Sequence, residues 1–266
     1  MSVGELIFIG LGLHDEYGLS LRGQMEARSC DVLFAEFYTS RMPGLNMGSL
    51  ERLVGKKVHV LSRQDVEEGA EEIILSKAKT GRVGFLVPGD PLVATTHVDL
   101  RLRALRSGIS SKIIHAASVV SAAAGATGLQ SYKFGRTTTI PVSFEGKFPV
   151  SVIQAIGNNL ASGLHSLVLL EIDVENKQFV SIPTALKLLW ANSKNIPGVS
   201  ITDDTLVVGL ARVEAPDMQV TAGRLVDVMR TEFGEPPYLL IFPGKLHFVE
   251  AEALQLICHA PKDLVS

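Results

Sequence analysis

What most constrains this chain is a set of short runs that are apolar at nearly every position rather than at every second one. Glu5–Gly10 (ELIFIG), Asp31–Phe37 (DVLFAEF) and Arg82–Val87 (RVGFLV) each carry side chains suited to burial on both faces of a strand. Such strands belong in a parallel sheet covered by helices, because parallel neighbours need crossovers long enough to hold one. The intervening segments read as those helices. Ser20 can N-cap a helix running toward Cys30, with Leu21 and Met25 sharing a face. Glu67–Lys79 has an acidic first turn, a basic last turn and Gly81 as C-cap, in agreement with the helix dipole. His97–Ser107 places Val98, Leu102 and Leu105 on one stripe and ends at Gly108. With short strands at Val58–Leu61 and Lys112–Ala116, residues 1–116 are expected to form an N-terminal α/β domain.

Residues 117–266 are expected to form a second, C-terminal α/β domain that repeats the class but not the sequence. Its strands are read at Thr137–Val142, His165–Ile172, Thr205–Val213 and Tyr238–Phe242, with helices starting near Ser118, Pro149, Ser181 and Thr221. Ser181 followed by Pro183 is a good helix entry, while Phe144–Pro149 and Glu214–Met218 look like loops. From Ile113 to Tyr132 no Asp, Glu, Lys or Arg occurs, a length that could span a bilayer. Its serines, Thr127, Gln130, Gly125 and Gly128 suit a buried strand end and a small-residue helix instead. The N-terminal MSVGELIFIGLGL lacks the basic start of a secretory signal, so the chain reads as soluble and cytoplasmic.

Composition removes several functions. With 25 Lys and Arg against 28 Asp and Glu, the formal charge is -3, and no cationic excess exists to follow a nucleic-acid backbone. The two cysteines, Cys30 and Cys258, lie far apart and in no metal-ligand spacing, so they read as small buried side chains. None of the seven histidines pairs at a spacing typical of metal ligands, and GxxxxGK[ST], GxSxG and HExxH are absent.

Ligands of open α/β sheets collect beyond the carboxyl ends of the strands, and three unusual segments fall there. Gly10-Leu11-Gly12-Leu13-His14-Asp15 follows the first strand, but Asp15 stands where a dinucleotide fingerprint needs a third glycine. Pro88–His97 (PGDPLVATTH) projects Asp90 from a backbone fixed by two prolines, either toward a ligand or into an Asx-turn of its own loop. Ile114–Val119 (IHAASV) brings Ser118 to a helix N-terminus, as a cap or as a ligand contact. The residues by themselves indicate a small-molecule-using enzyme or a nucleotide-binding module.

Taken together, FIGLGL (Phe8–Leu13), FAEFYTS (Phe34–Ser40), VLSRQDVE (Val60–Glu67), PGDPLVATTH (Pro88–His97), TGLQSYKFG (Thr127–Gly135), TDDTLVVGLAR (Thr202–Arg212) and PGKLHFVEAEAL (Pro243–Leu254) resemble the diphthine synthase family of the tetrapyrrole (precorrin-type) methyltransferase superfamily. The resemblance runs nearly end to end. It implies two α/β domains in a tetrapyrrole methylase-like fold, with a cofactor cleft between them, and a homodimer. It implies methyl transfer from S-adenosylmethionine to the amino group of the 3-amino-3-carboxypropyl arm on a histidine of translation elongation factor 2, giving diphthine. It carries cofactor contacts onto Leu13, Asp90, Val93, Ser118, Val119, Leu170, Val213 and Tyr238. No metal and no covalent intermediate is implied. The pattern departs from the family where His-Ala-Ala-Ser-Val lacks a proline before the serine, and where Tyr238 replaces a frequent His. Asp90 and His97 are nearest by loop position to serve as a base. A tetrapyrrole methyltransferase and a non-enzymatic nucleotide-binding module remain as alternatives.

Overall fold

The three apolar runs become neighbours in one parallel sheet of a computed structural model, which describes residues 4–194, 196 and 198–265. The chain divides into two units after Val119. In the first, β1 (Glu5–Gly10), β2 (Val32–Glu36), β3 (Val58–Leu61), β4 (Arg82–Val87) and β5 (Ser110–Ile114) stand in the order β3-β2-β4-β1-β5. Along β1, Leu6 and Phe8 enter one core with Phe34, Phe85 and Leu100, whereas Ile7 and Ile9 enter a second with Leu33, Leu50 and Leu86. Burial on both faces is why these strands show no alternation.

The crossovers carry α1 (Leu21–Ser29), α2 (Met47–Val54), α3 (Arg63–Glu67), α4 (Ser76–Ala78) and α5 (His97–Arg106). Ser20 caps α1 by accepting the Gly23 N–H at 3.0 Å, as expected. The helix expected over Glu67–Lys79 is broken instead. The α3 segment starts earlier, in a capping box between Ser62 and Asp65, and a π-helical turn over Glu71–Leu75 leads into α4. Two expected stripes face outward: Leu21 and Met25 are 80% and 63% exposed, and Val98, Leu102 and Leu105 are exposed on α5. The inward faces hold Gly23, Glu26 and Ala27 on α1 and His97, Leu100 and Ala104 on α5. Small and polar residues permit close approach to the sheet, so the apolar period points the wrong way.

The second unit contains a mixed sheet in the order β11-β10-β12-β7-β6. Its strands are β6 (Thr138–Ile140), β7 (Ser166–Leu170), β10 (Leu206–Ala211), β11 (Gln219–Arg224) and β12 (Tyr238–Phe242), with β8 (Ile172–Asp173) and β9 (Gln178–Phe179) forming a separate short hairpin. Around them lie α6 (Val119–Thr127), whose first residue falls before the division, then α7 (Val150–Ala161), α8 (Ile182–Ser193), α9 (Leu225–Val228), α10 (Phe248–Cys258) and α11 (Lys262–Val265). The helix expected from Thr221 is strand β11, paired antiparallel to β10 with Leu206 opposite Arg224. The connection from Ala211 to Gln219 is too short for a parallel crossover, and the helix begins only at Leu225. Ser181 does cap α8, with Pro183 in its first turn.

Candidate functional site

At the carboxyl end of the first sheet, the two glycine-bearing loops are joined backbone to backbone. Leu11 N–H donates to the Val87 carbonyl at 2.8 Å, and Gly89 N–H donates to the Gly12 carbonyl at 2.7 Å. Gly10 is required by this approach, since a Cβ there would lie 2.6 Å from the Gly89 carbonyl oxygen and 2.7 Å from the Ala116 Cβ. Gly89 is required for another reason. Its φ is +67°, yet a Cβ would meet nothing nearer than the Ala117 carbonyl at 3.9 Å, so the space above it is open. After the turn, Asp15 caps a short 3-10 turn at Glu16–Gly18, and α1 starts only at Leu21. The helix N-terminus that would hold a dinucleotide pyrophosphate is therefore not placed directly behind these glycines.

Asp90 is 7% exposed, and both of its oxygens are engaged. Oδ1 accepts the Leu92 N–H at 3.2 Å, and Oδ2 lies 2.7 Å from Nδ1 of His115, whose side chain is 72% exposed. The Asx-turn reading of Asp90 is therefore met, and the junction loop is tied to the Gly-Asp-Pro loop through His115. Val93 is exposed on this loop, and its neighbour Ala94 is held at φ +56°. An alanine in that region costs roughly 1–2 kcal/mol, which the surrounding hydrogen bonds must hold in place. Leu13 follows the glycine turn, while Ser118 and Val119 follow His115 at the start of α6. The loops over residues 10–19, 88–97 and 115–119 contain no Lys or Arg. That chemistry suits a neutral or cationic small ligand better than a polyphosphate.

Beneath the Gly-Asp-Pro loop lies a polar cluster that the sequence reading missed. His97 is 1% exposed. Its Nδ1 is 3.2 Å from the Pro91 carbonyl, its Nε2 is 3.3 Å from the Tyr38 hydroxyl, and Glu36 Oε1 is 3.6 Å from the same nitrogen. Burial pushes His97 down to about 4, so it is a neutral structural imidazole. Its candidacy as a base, read from loop position, does not hold. Glu36 is fully buried at the end of β2 and accepts the N–H groups of Tyr38 and Thr39 at 3.0 Å each. Burial raises it to about 6 against those hydrogen bonds. A glutamate inside the apolar run DVLFAEF was the available signal.

In the second unit, Leu170 ends β7, Val213 follows β10 and Tyr238 begins β12. The register brings them to one end of the sheet, with Ala211 opposite Tyr238 and Leu169 opposite Leu239. All three are buried. The Tyr238 hydroxyl donates to the Gly234 carbonyl, and its ring packs near Phe179, so that side chain is committed to the protein. Arg212, at φ +53°, fixes the adjoining loops. It meets Asp217 Oδ2 at 2.7 Å and donates to the Phe233 carbonyl at 2.6 Å and to that of Glu235.

A second buried network joins the TGLQSYKFG and PGKLHFVEAEAL segments through His165. Glu250 accepts from Gln130 N–H at 2.9 Å, His165 Nε2 at 2.9 Å, His247 N–H at 2.8 Å and the Lys133 ammonium. Gly244 N–H donates to His165 Nδ1 at 2.9 Å, which leaves the imidazole proton on Nε2, facing the carboxylate. Burial alone would raise Glu250, but these donors hold it at about 2, while burial lowers His165. This is scaffold rather than chemistry. The cysteines are buried as expected, with desolvation raising Cys30 to about 11 and Cys258 to about 12. Among the described residues, no cluster could hold a metal ion, and no helix is long and apolar enough to cross a membrane.

Comparison with known proteins agrees with this arrangement. Residues 5–202 match the model of the tetrapyrrole (corrin/porphyrin) methylases. The chain is 45% identical to a diphthine synthase of Methanosarcina mazei, over 98% of each protein. It is 41% identical to that of Methanothermobacter thermautotrophicus, again over 98% of each. A crystal structure of a diphthine synthase superposes with a TM-score of 0.88 at 33% identity, covering 98% of both chains.

Proposed function

Because the chain belongs to the tetrapyrrole (corrin/porphyrin) methylase family, and within it matches diphthine synthases from end to end, we propose that it performs the diphthine synthase reaction. It is an S-adenosylmethionine-dependent methyltransferase acting in diphthamide biosynthesis. The acceptor is the amino group of the 3-amino-3-carboxypropyl arm on a histidine of translation elongation factor 2. The full-length match to relatives bearing this one name carries the reading. The family model alone would leave a tetrapyrrole acceptor open, and the relatives set that alternative aside.

Bound S-adenosylmethionine supplies a methyl group on a sulfonium, open to in-line displacement by a nitrogen lone pair. The chain's part is to position and to exclude water. Leu13, Asp90, Val93, Ser118 and Val119 in the first unit, with Leu170, Val213 and Tyr238 in the second, are the proposed contacts. The fit rests on the open backbone ground above Gly89, the buried carboxylate of Asp90 beside it and the absence of Lys and Arg from the three loops. Tyr238 serves through its main chain, because its hydroxyl is already given to Gly234. The acceptor amine, with an ordinary pKa of about 8, must arrive deprotonated. His115, in contact with Asp90, is an exposed histidine at this sheet end, whereas His97 is sealed away.

Incubation with labelled S-adenosylmethionine and elongation factor 2 carrying the unmethylated arm, read by mass spectrometry, tests the activity. Methyl groups should appear on that histidine, and label on a porphyrin precursor alone would overturn the reading. S-adenosylhomocysteine should bind far more tightly than NAD. The homodimer and the cytoplasmic location are part of the same proposal. Exposed Leu21, Met25, Phe248 and Leu256 support a covered interface, and light scattering reporting a monomer at micromolar concentration would remove it.

Asp90 also makes a test of charge. At a separation of ~5 Å and an effective dielectric of ~20, a carboxylate beside a sulfonium gains roughly 3 kcal/mol of Coulomb energy before screening. Asp90→Asn would then weaken S-adenosylmethionine selectively over S-adenosylhomocysteine, which lacks that charge. Because both Asp90 oxygens are bound within the protein, the expected result is a parallel loss, about fivefold for each ligand, from a loosened loop. Titration calorimetry of both ligands on the variant and the parent decides it. A selective loss would return the carboxylate to the sulfonium.

A further inference from the structure

We propose that His97 is the positioning residue of the Gly-Asp-Pro loop: by donating its Nδ1–H to the Pro91 carbonyl it fixes the loop shape in which Asp90 and Val93 meet the cofactor. This rests on the reading that the loop contacts S-adenosylmethionine.

The geometry assigns each nitrogen. A carbonyl can only accept, so the contact of Nδ1 with Pro91 O at 3.2 Å places the imidazole proton on Nδ1. Nε2 is then an acceptor, and the Tyr38 hydroxyl at 3.3 Å is its donor. Edge-on contacts with Phe85 and Tyr38, at centroid distances of 5.2 and 6.2 Å, set the plane of the ring. The far side of this contact is firm. Glu36 holds the turn after β2 through two backbone N–H groups, and the Arg63 guanidinium lies over the Tyr38 ring at 5.1 Å.

The loop depends on such support. Pro91 has no N–H to contribute, and Ala94 sits at φ +56°, a conformation that an alanine holds only under constraint. Within the loop, Val93 N–H reaches the Asp90 carbonyl at 3.3 Å, and the Thr95 hydroxyl shares the Pro91 carbonyl at 2.9 Å. His97 is the contact that ties this carbonyl to a neighbouring strand end. It does so from the first residue of α5, so loop, helix start and β2 share one buried joint.

Asparagine and glutamine separate a positioning role from a merely structural one. The amide nitrogen of Asn falls near the place of Nδ1, whereas that of Gln falls near Nε2. His97→Asn should keep S-adenosylhomocysteine affinity within about threefold of the parent. His97→Gln should weaken it by at least tenfold, with the turnover at saturating S-adenosylmethionine unchanged within about twofold, a split between KM and kcat. Equal losses in the two variants, or lowered thermal stability with unchanged affinity, would overturn the proposal. Should neither variant fold, the parent protein decides. Its long-range proton–nitrogen spectrum, recorded also with His115→Gln to remove the imidazole whose Nδ1 faces Asp90, should show one imidazole that stays in the Nδ1–H form between about pH 5 and about 8. If every neutral imidazole is in the Nε2–H form, the proposal fails. Asp90→Ala and Val93→Asp identify which premise is at fault. If both leave binding intact, the loop is not a cofactor contact. If they weaken it tenfold while His97→Gln does not, the cofactor reading stands and the positioning role alone falls.

Discussion

Glu250→Ala should lower the melting temperature by roughly 10 °C. The carboxylate is fully buried and accepts from four donors: the backbone N–H groups of Gln130 and His247, the His165 imidazole and the Lys133 ammonium. Removing it leaves the Gln130, His247 and His165 donors unpaired in a dry interior and takes the carboxylate away from the Lys133 ammonium, which keeps only the Lys245 carbonyl. Breaking a buried pair from one side costs about 3–5 kcal/mol, and each kcal/mol moves the midpoint of a unit this size by about 2–4 °C. Glu250→Gln should lose most of the same stability. It keeps the volume, but it has one accepting oxygen and turns an NH2 toward donors. A fall of less than about 3 °C in either variant would mean that water or a shifted Lys133 replaces the network.

The same group fixes the direction of a pH effect. Glu250 titrates at about 2 in the folded protein against an ordinary value of 4.5. A carboxylate depressed in this way contributes stability that is complete above about 4.5 and is lost as the pH falls through about 2. The contribution is about 3 kcal/mol. In Glu250→Gln the acid limb of the stability curve should flatten between those values, and a limb identical to the parent's would remove the assignment.

How much of this was legible beforehand depended on where each residue's partners lie. The first sheet was readable because Leu6, Ile7, Phe8 and Ile9 are all apolar, and only burial on both faces explains that. In the second sheet β7, β10 and β12 are equally apolar, and apolarity does not distinguish parallel from antiparallel pairing. The short connection before β11 does, although its sequence suits a loop leading to a helix equally well. Outward stripes such as Leu21 with Met25 misled because helix periodicity assumes that the apolar face turns inward. At the site, the glycine turns and Asp90 could be read, since their constraint is local. Glu250 and Arg212 could not, nor could the joint of His97 with Tyr38 and Glu36. Their partners stand up to 120 residues away, and a single sequence gives no sign of which buried acid meets which donor.

Gly10→Ala is the substitution expected to damage cofactor binding most. The added methyl would stand 2.6 Å from the Gly89 carbonyl oxygen and 2.7 Å from the Ala116 Cβ, neither of which is the tip of a flexible side chain. Carbon needs roughly 1 Å more than this on each side. The only movements available push the Gly-Asp-Pro loop and the His115–Val119 segment away from the glycine turn, and these carry Asp90, Val93, Ser118 and Val119. Overpacking of this kind costs about 1–3 kcal/mol in stability. A displacement near 1 Å at residues that position a ligand costs on the order of a hundredfold. S-adenosylhomocysteine affinity should therefore fall by about that factor while the protein remains folded. Gly125→Ala is the matched control. Gly125 lies inside α6 with open space where its Cβ would stand, so alanine there should raise stability by about 0.5–1 kcal/mol and leave affinity alone. Calorimetry on both variants reads the contrast. If Gly10→Ala binds as the parent does, the close approach of the two loops is not what shapes the cofactor site, and the assignment of Asp90 and Val93 falls with it.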